Sequence, residues 1–269
     1  MISDKMDIIE FGEALVRTRD LDPVYCAVHD ARMPRDQLYR WLLAYWCFYH
    51  VGVASFLSEQ KGGSYWDFLH EAAENKNSPR DHSLPAERWP RAAERRHFRG
   101  AKCVEAVKQL RDVYGKPELA VRDLMLPSEK AILRKIKDWY LFGPWIGFKA
   151  ADMLERCAGA QVSFDPNIGL MYSEPRKGLE LAARRGYYYG MSYDSIYENL
   201  LGHFKNRKAP PALDRPCGPQ EVETILCKWK SHMSGHYWVG KDIAEQRPAL
   251  KGWGRTADKL LKAYPEEVV

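Results

Sequence analysis

No apolar run in the 269 residues reaches the roughly 18 that a membrane span needs, and the start, MISDKMDIIEFGEAL, is charged where a secretory leader would be apolar. Both absences argue for a cytoplasmic protein without a membrane partner. Cysteine is sparse and scattered (Cys26, Cys47, Cys103, Cys157, Cys217, Cys227), which favours reduced thiols over a disulfide framework. There is no C-x2-C pair, the mark of a secure zinc site, and no G-x-x-x-x-G-K-[ST] phosphate loop. Alternating apolar and polar runs are almost missing; AQVSF is the one short strand candidate. Repeats and low-complexity tracts are missing too. What remains is an all-α reading.

Helical periodicity is abundant. From Arg35 to Glu59 the chain has no proline, and Leu38, Trp41, Leu42, Tyr45, Trp46 and Tyr49 recur at steps of three and four, which predicts one long, largely buried helix. Gly62 and Gly63 end it, and Ser64 caps a short helix over YWDFLHEAAE. A polar, proline-punctuated loop, NKNSPRDHSLPAERWP, comes next. A basic helix then runs from about Arg91 to Tyr114, and another over PSEKAILRKIKDWYLF is capped by Ser128. Further helices are expected at about 176–188, 193–205, 219–233 and 250–263, within a single helical domain over 1–269. The stretch 206–219 is a candidate linker to a C-terminal helical subdomain.

Three constellations carry possible chemistry. In FGPWIGFKAADMLERCAGAQVSFDPN, a Gly-Pro-Trp-Ile-Gly turn joins two helices. Gly143 and Gly147 could take φ > 0 there and let a phosphate approach the backbone, with Lys149 in the first turn of the following helix. Trp145, with Tyr45 and Tyr49, could stack on a base; burial in a helical core is the plainer account. Asp165 follows, held by Pro166. Alternatively Lys149 is a solvated helix residue and Asp165 caps the next turn.

The second constellation is ERRHFRGAKCVEA. On a continuous helix Arg95, Arg99 and Lys102 would share a face flanked by Arg96, a pattern suited to gripping phosphate oxygens or simply to facing water. The third is CGPQEVETILCKWKSHMSGHYWVGKDI. Cys217, Cys227, His232 and His236 offer an incomplete zinc set, and no metal is expected. Glu223, Lys228, His232, His236, Tyr237, Lys241 and Asp242 otherwise form a polar site or a surface network around the end of a helix.

FGPWIGFKAA and VSFDPNIG resemble the hairpin and the aspartate of the helix-hairpin-helix DNA glycosylases. That resemblance places Lys149 on the lysine nucleophile of the bifunctional members and Asp165 on the catalytic aspartate. Trp145 stands where a small residue is expected, and no iron–sulfur cysteine set follows. A broader resemblance runs from about residue 23 to 245 through YRWLLAYWCFYHVGVASFLSE, RRHFRGAK, GPWIGFKAADM and ETILCKWKSHMSGHYWVGKDI. It is to the helical phage enzymes that hypermodify thymine in DNA, among them the amino acid:DNA transferases. A related helical module accompanies the 5-hydroxymethyluracil DNA kinases, but the missing phosphate loop favours the transferases.

This resemblance implies that an amino acid, glycine in the best-known branch, displaces pyrophosphate from 5-pyrophosphoryloxymethyluracil in double-stranded DNA. The step would help phage DNA evade host restriction, in the host cell cytoplasm and without a cofactor. Such a displacement needs cations for the leaving group, here Arg95, Arg96, Arg99, Lys102 and Lys149. It also needs a proton acceptor: Asp165 first, then Asp152 and His236. A DNA glycosylase or lyase, and a non-catalytic DNA-binding module, remain as alternatives.

Overall fold

The computed structural model describes residues 6–74, 79–85 and 88–266; parts of the expected loop NKNSPRDHSLPAERWP, at 75–78 and 86–87, lie outside them. In chain order the helices are α1 (Ile8–Thr18), α2 (Pro23–Asp30), α3 (Arg35–Phe48), α4 (Val51–Glu59), α5 (Gly62–Glu74), α6 (Ala101–Tyr114) and α7 (Pro117–Arg122). They continue with α8 (Glu129–Ile136), α9 (Pro144–Ala158), α10 (Ile168–Met171), α11 (Ser173–Ala182), α12 (Tyr193–Phe204), α13 (Pro219–Met233), α14 (Lys241–Gln246) and α15 (Arg255–Ala263). Among the described residues the fold is all-α. AQVSF contributes only an isolated parallel bridge, Ser128 to Ser163.

The chain divides into two compact units: one takes Met1–Cys26, Phe164–Glu245 and Pro265–Val269, the other Ala27–Ser163 and Gln246–Tyr264. The stretch 206–219 falls inside the first. That unit is built on α1, α11, α12 and α13 around Phe11, Leu15, Leu179, Leu200, Ile225 and Leu226. α11 and α13 approach so closely that a Cβ on Gly178 would lie 2.7 Å from the carbonyl oxygen of Leu226. Pro219 at the first helical position and the Glu221 carboxylate, which accepts from Gly218 N at 2.7 Å, start α13. The second unit buries Trp41, Trp46, Trp66 and Trp89 with Tyr45 and Phe148. In that unit α8 packs against α9, where a Cβ on Gly147 would meet Leu133 Cδ2 at 2.5 Å.

Several boundaries differ from the sequence expectation, each for a local reason. The helix expected over 35–59 is two: Tyr49 turns left-handed (φ 53), and His50 Nδ1 accepts from Val53 N at 3.2 Å to start α4. Ser64 is not a cap, since α5 begins at Gly62. The basic helix expected from Arg91 starts only at Ala101, behind Gly100 (φ 80), and is preceded by a 3-10 turn over Ala93–Arg95. The predicted 176–188 and 250–263 helices are Ser173–Ala182 and Arg255–Ala263, whereas 219–233 and the Ser128 cap, which accepts from Ala131 N at 3.3 Å, are found as expected.

Candidate active site

Within the second unit the hairpin is formed by α8, residues 137–143 and α9. Ser128 opens α8, Pro144 stands at the first position of α9, and Gly159 ends it in the left-handed region. The glycines act differently from the expectation. Gly143 is the N-cap at φ −89, and Gly147 lies inside the helix as a close-packing position; the positive φ falls on Leu141, at 66. Lys149 is therefore the sixth residue of α9, not part of its first turn, and only 9% exposed, with Nζ 4.8 Å from the Phe148 ring. Asp152 is fully buried, and its Oδ2 lies 3.5 Å from Arg156 Nη1. Lys149, Asp152 and Arg156 thus make a charged stripe along one buried helix, and buried charge of this kind is weak evidence for stability.

Beside the hairpin, Tyr49 bridges Tyr45 (ring centroids 4.5 Å apart) and Trp145 (5.1 Å). Tyr45 is core, while Tyr49 and Trp145 are half-buried. The arginines do not form the expected common face. Arg95 is buried, donating from Nε to Cys47 O at 3.0 Å and from Nη1 to Leu141 O at 3.3 Å, with its guanidinium 4.4 Å from the Phe98 ring. Burial holds it below the usual arginine range. It anchors the hairpin loop to the end of α3. Arg96, Arg99 and Lys102 are exposed, and Arg96 turns back to Ala93 O at 2.9 Å. The 3-10 turn over Ala93–Arg95, not α6, carries Arg95 into this pocket.

The first unit holds Asp165, whose Oδ1 accepts from Asn167 N at 2.9 Å just before α10. On α13, Glu223 is 4% exposed and accepts from Thr224 Oγ1 and from Cys227 Sγ, each at 3.3 Å. Near both lies Tyr197 of α12, whose hydroxyl oxygen accepts from Gly169 N at 3.2 Å. Burial, and then the charges of Glu223 and Asp165, push the Tyr197 hydroxyl up to about 12 against the pull of that N–H. The charges of both carboxylates thus act on one phenol. Asp165 and Glu223 were candidates from the sequence; Tyr197 was not, because no spacing distinguishes it from an ordinary core tyrosine.

The polar cluster expected after α13 is present, but it closes on a residue the sequence did not single out. Asp20 is fully buried and accepts from Tyr237 OH (2.7 Å), Gly240 N (2.6 Å) and Ile243 N (3.2 Å). Lys228 donates to Asp20 O at 2.5 Å and pairs with Asp242 at 2.7 Å. His232 stacks on Phe11 at 4.7 Å, with Nδ1 3.0 Å from Tyr237 O. Lys228, His232, Tyr237 and Asp242 are thereby engaged in a clasp that holds the segment after α1. Lys241 donates to His236 O at 2.7 Å, and His236 is exposed. Among the described residues no group of three or more His, Cys, Asp or Glu is placed to hold a metal ion, and no helix is long and apolar enough to cross a membrane.

Comparison with known proteins gives these sites a context. The chain is 41% identical to a glycinyltransferase of Pseudomonas phage PaMx11, over 98% of this chain and 97% of the relative. It is 29% identical to a putrescinyltransferase of Delftia phage PhiW-14, over 96% of this chain and 82% of that protein. The profile of the family described as amino acid:DNA transferase matches residues 16–237, a span that includes the hairpin, the buried stripe of α9, Asp165, Tyr197 and Glu223. A profile match over most of the chain and a 41% identical relative aligned along nearly its whole length lead to one conclusion: the chain belongs to the amino acid:DNA transferase family.

Proposed function

We propose that this enzyme transfers glycine to 5-pyrophosphoryloxymethyluracil in double-stranded DNA and releases pyrophosphate. The amine nitrogen forms a bond to the 5-methylene carbon as the carbon–oxygen bond breaks. The electron pair leaves with the pyrophosphate, and the ammonium proton goes to a carboxylate. What supports this reading is that the half-buried Asp165 and the buried Glu223 both act on the Tyr197 hydroxyl, and carboxylates so placed can seat an ammonium group and accept its proton. We assign the acceptor to Asp165 and the seat to Glu223. Asp152, opposite Arg156, and the exposed His236 are given no proton-transfer step.

Fixed cations must meet the growing charge on the leaving group. The exposed Arg96, Arg99 and Lys102, with the hairpin end at Gly143 and Trp145, are assigned to the DNA backbone and its bases. The extensive similarity to a glycinyltransferase supports glycine over a diamine.

The test is an incubation with an oligonucleotide carrying 5-pyrophosphoryloxymethyluracil and a panel of amines including glycine and putrescine, followed by nucleoside mass analysis. The expected product is the glycine adduct with one pyrophosphate released per adduct. A putrescine adduct alone would reassign the amine. Free base or an abasic site would replace the transfer with glycosylase chemistry, and DNA binding without product would leave only a binding module.

A further inference from the structure

Between α11 and α12 the chain reads Arg184-Arg185-Gly186-Tyr187-Tyr188-Tyr189-Gly190. Gly186 (φ 53) and Gly190 (φ 78) bound this turn, and Gly190 N donates to Ala183 O at 2.9 Å, closing its base. The middle tyrosine is an anchor: Tyr188 is 8% exposed and belongs to the core of the unit, and its ring meets that of Tyr187 edge-on at 5.1 Å. Its two neighbours face outward, Tyr187 at 82% and Tyr189 at 77% exposure. Arg184 pairs with Glu180, whereas Arg185 is exposed and makes no ion pair among the described residues.

Folding gains little from this arrangement, since two large rings forgo burial next to an exposed guanidinium. Flat π faces beside a fixed positive charge match one ligand chemistry closely, a nucleobase with its adjoining phosphate. A DNA-modifying enzyme supplies that ligand. We propose that this turn is a base-stacking element for the DNA substrate, with Tyr187 and Tyr189 taking bases that are out of the helical stack and Arg185 taking a neighbouring phosphate. The proposal rests on the family's action on DNA and is independent of which amine is transferred or which group leaves.

The test uses the full chain and fluorescence anisotropy with an unmodified single-stranded oligonucleotide and its fully paired duplex. The Tyr187→Ala/Tyr189→Ala variant should raise the Kd for single-stranded DNA about tenfold or more, and the Kd for duplex less. Tyr187→Phe/Tyr189→Phe should bind as the parent does, because the ring is kept. Arg185→Ala should lower the slope of log Kd against log salt by about 0.7. An unchanged Kd in the alanine pair, or an equal loss in the phenylalanine pair, overturns the stacking role, and an unchanged salt slope overturns the phosphate contact. Thermal unfolding of the phenylalanine pair and of Arg185→Ala should match the parent, while the alanine pair gives up only the edge contact of Tyr187 with Tyr188. A failure of the glycine reading would show in the product assay and leave these binding ratios as they are.

Discussion

Arg95 Nε donates to the carbonyl oxygen of Cys47 at 3.0 Å, and through its Nη1 contact with Leu141 the same side chain holds the hairpin that opens α9. Removing a buried guanidinium strands two carbonyl oxygens, each bond to a charged donor being worth about 1.5–3 kcal/mol. Arg95→Ala should therefore lower stability by about 3 kcal/mol in urea unfolding. Arg95→Lys should recover little of it, because a single ammonium cannot span both carbonyls.

Asp165 and Glu223 both act on Tyr197, so the proposed roles have a readout apart from activity. Asp165→Asn should reduce kcat by about 10²–10⁴ with a folded chain, and Glu223→Gln should raise the KM for glycine. Either change should lower the titration of Tyr197 from about 12, while burial keeps it above an ordinary tyrosine. Ultraviolet titration against Tyr197→Phe measures this. A Tyr197 titration indifferent to both substitutions would remove the joint action on that hydroxyl on which the mechanism rests.

His50 should make the protein acid-sensitive. Burial lowers its pKa from 6.5 to about 4, and its Nδ1 must stay unprotonated to accept from Val53 N. Between those two values the unfolded chain binds a proton that the folded chain refuses. The stability from this site is thus complete above about pH 6.5 and is lost as the pH falls toward 4. The loss should reach about 2 kcal/mol, allowing for partial solvent access. His50→Asn keeps a capping side chain and should flatten this part of the stability–pH curve.

Two glycines should respond differently to a methyl group. Gly147→Ala pushes against the δ-methyl of Leu133, the end of a half-buried side chain, and should cost about 1 kcal/mol, recovered in part by Leu133→Ala. Gly178→Ala meets the Leu226 carbonyl and should cost about 3 kcal/mol, with no relief from trimming the Leu226 side chain. Chemical denaturation of the single and double variants separates the two cases.

Much of this architecture could be read from local signals. Pro219 and the polar turn before it mark the start of α13, and Ser128 marks the start of α8. The break at Tyr49 was hidden because apolar residues recur on both sides of it, so periodicity alone continues the helix. The Arg95 region misled for a related reason. Its charges fall at helical steps, yet the carbonyls of Cys47 and Leu141, distant in sequence, capture one of them. Asp165 was a candidate by its motif and Glu223 by its cluster. Their common link through Tyr197 was not, since it depends on how α12 and α13 are brought together by tertiary packing.

The connectivity of the two units has a consequence for biosynthesis. α1 buries Phe11 and Leu15 in the same core as Ile225 and Leu226, and Asp20 is clasped by groups from 237 to 243. A nascent chain emerging from the ribosome therefore carries α1 uncovered until the last third of the message has been translated. Neither unit is a continuous stretch of polypeptide, so cutting the gene at a single point yields no autonomous fragment of either one.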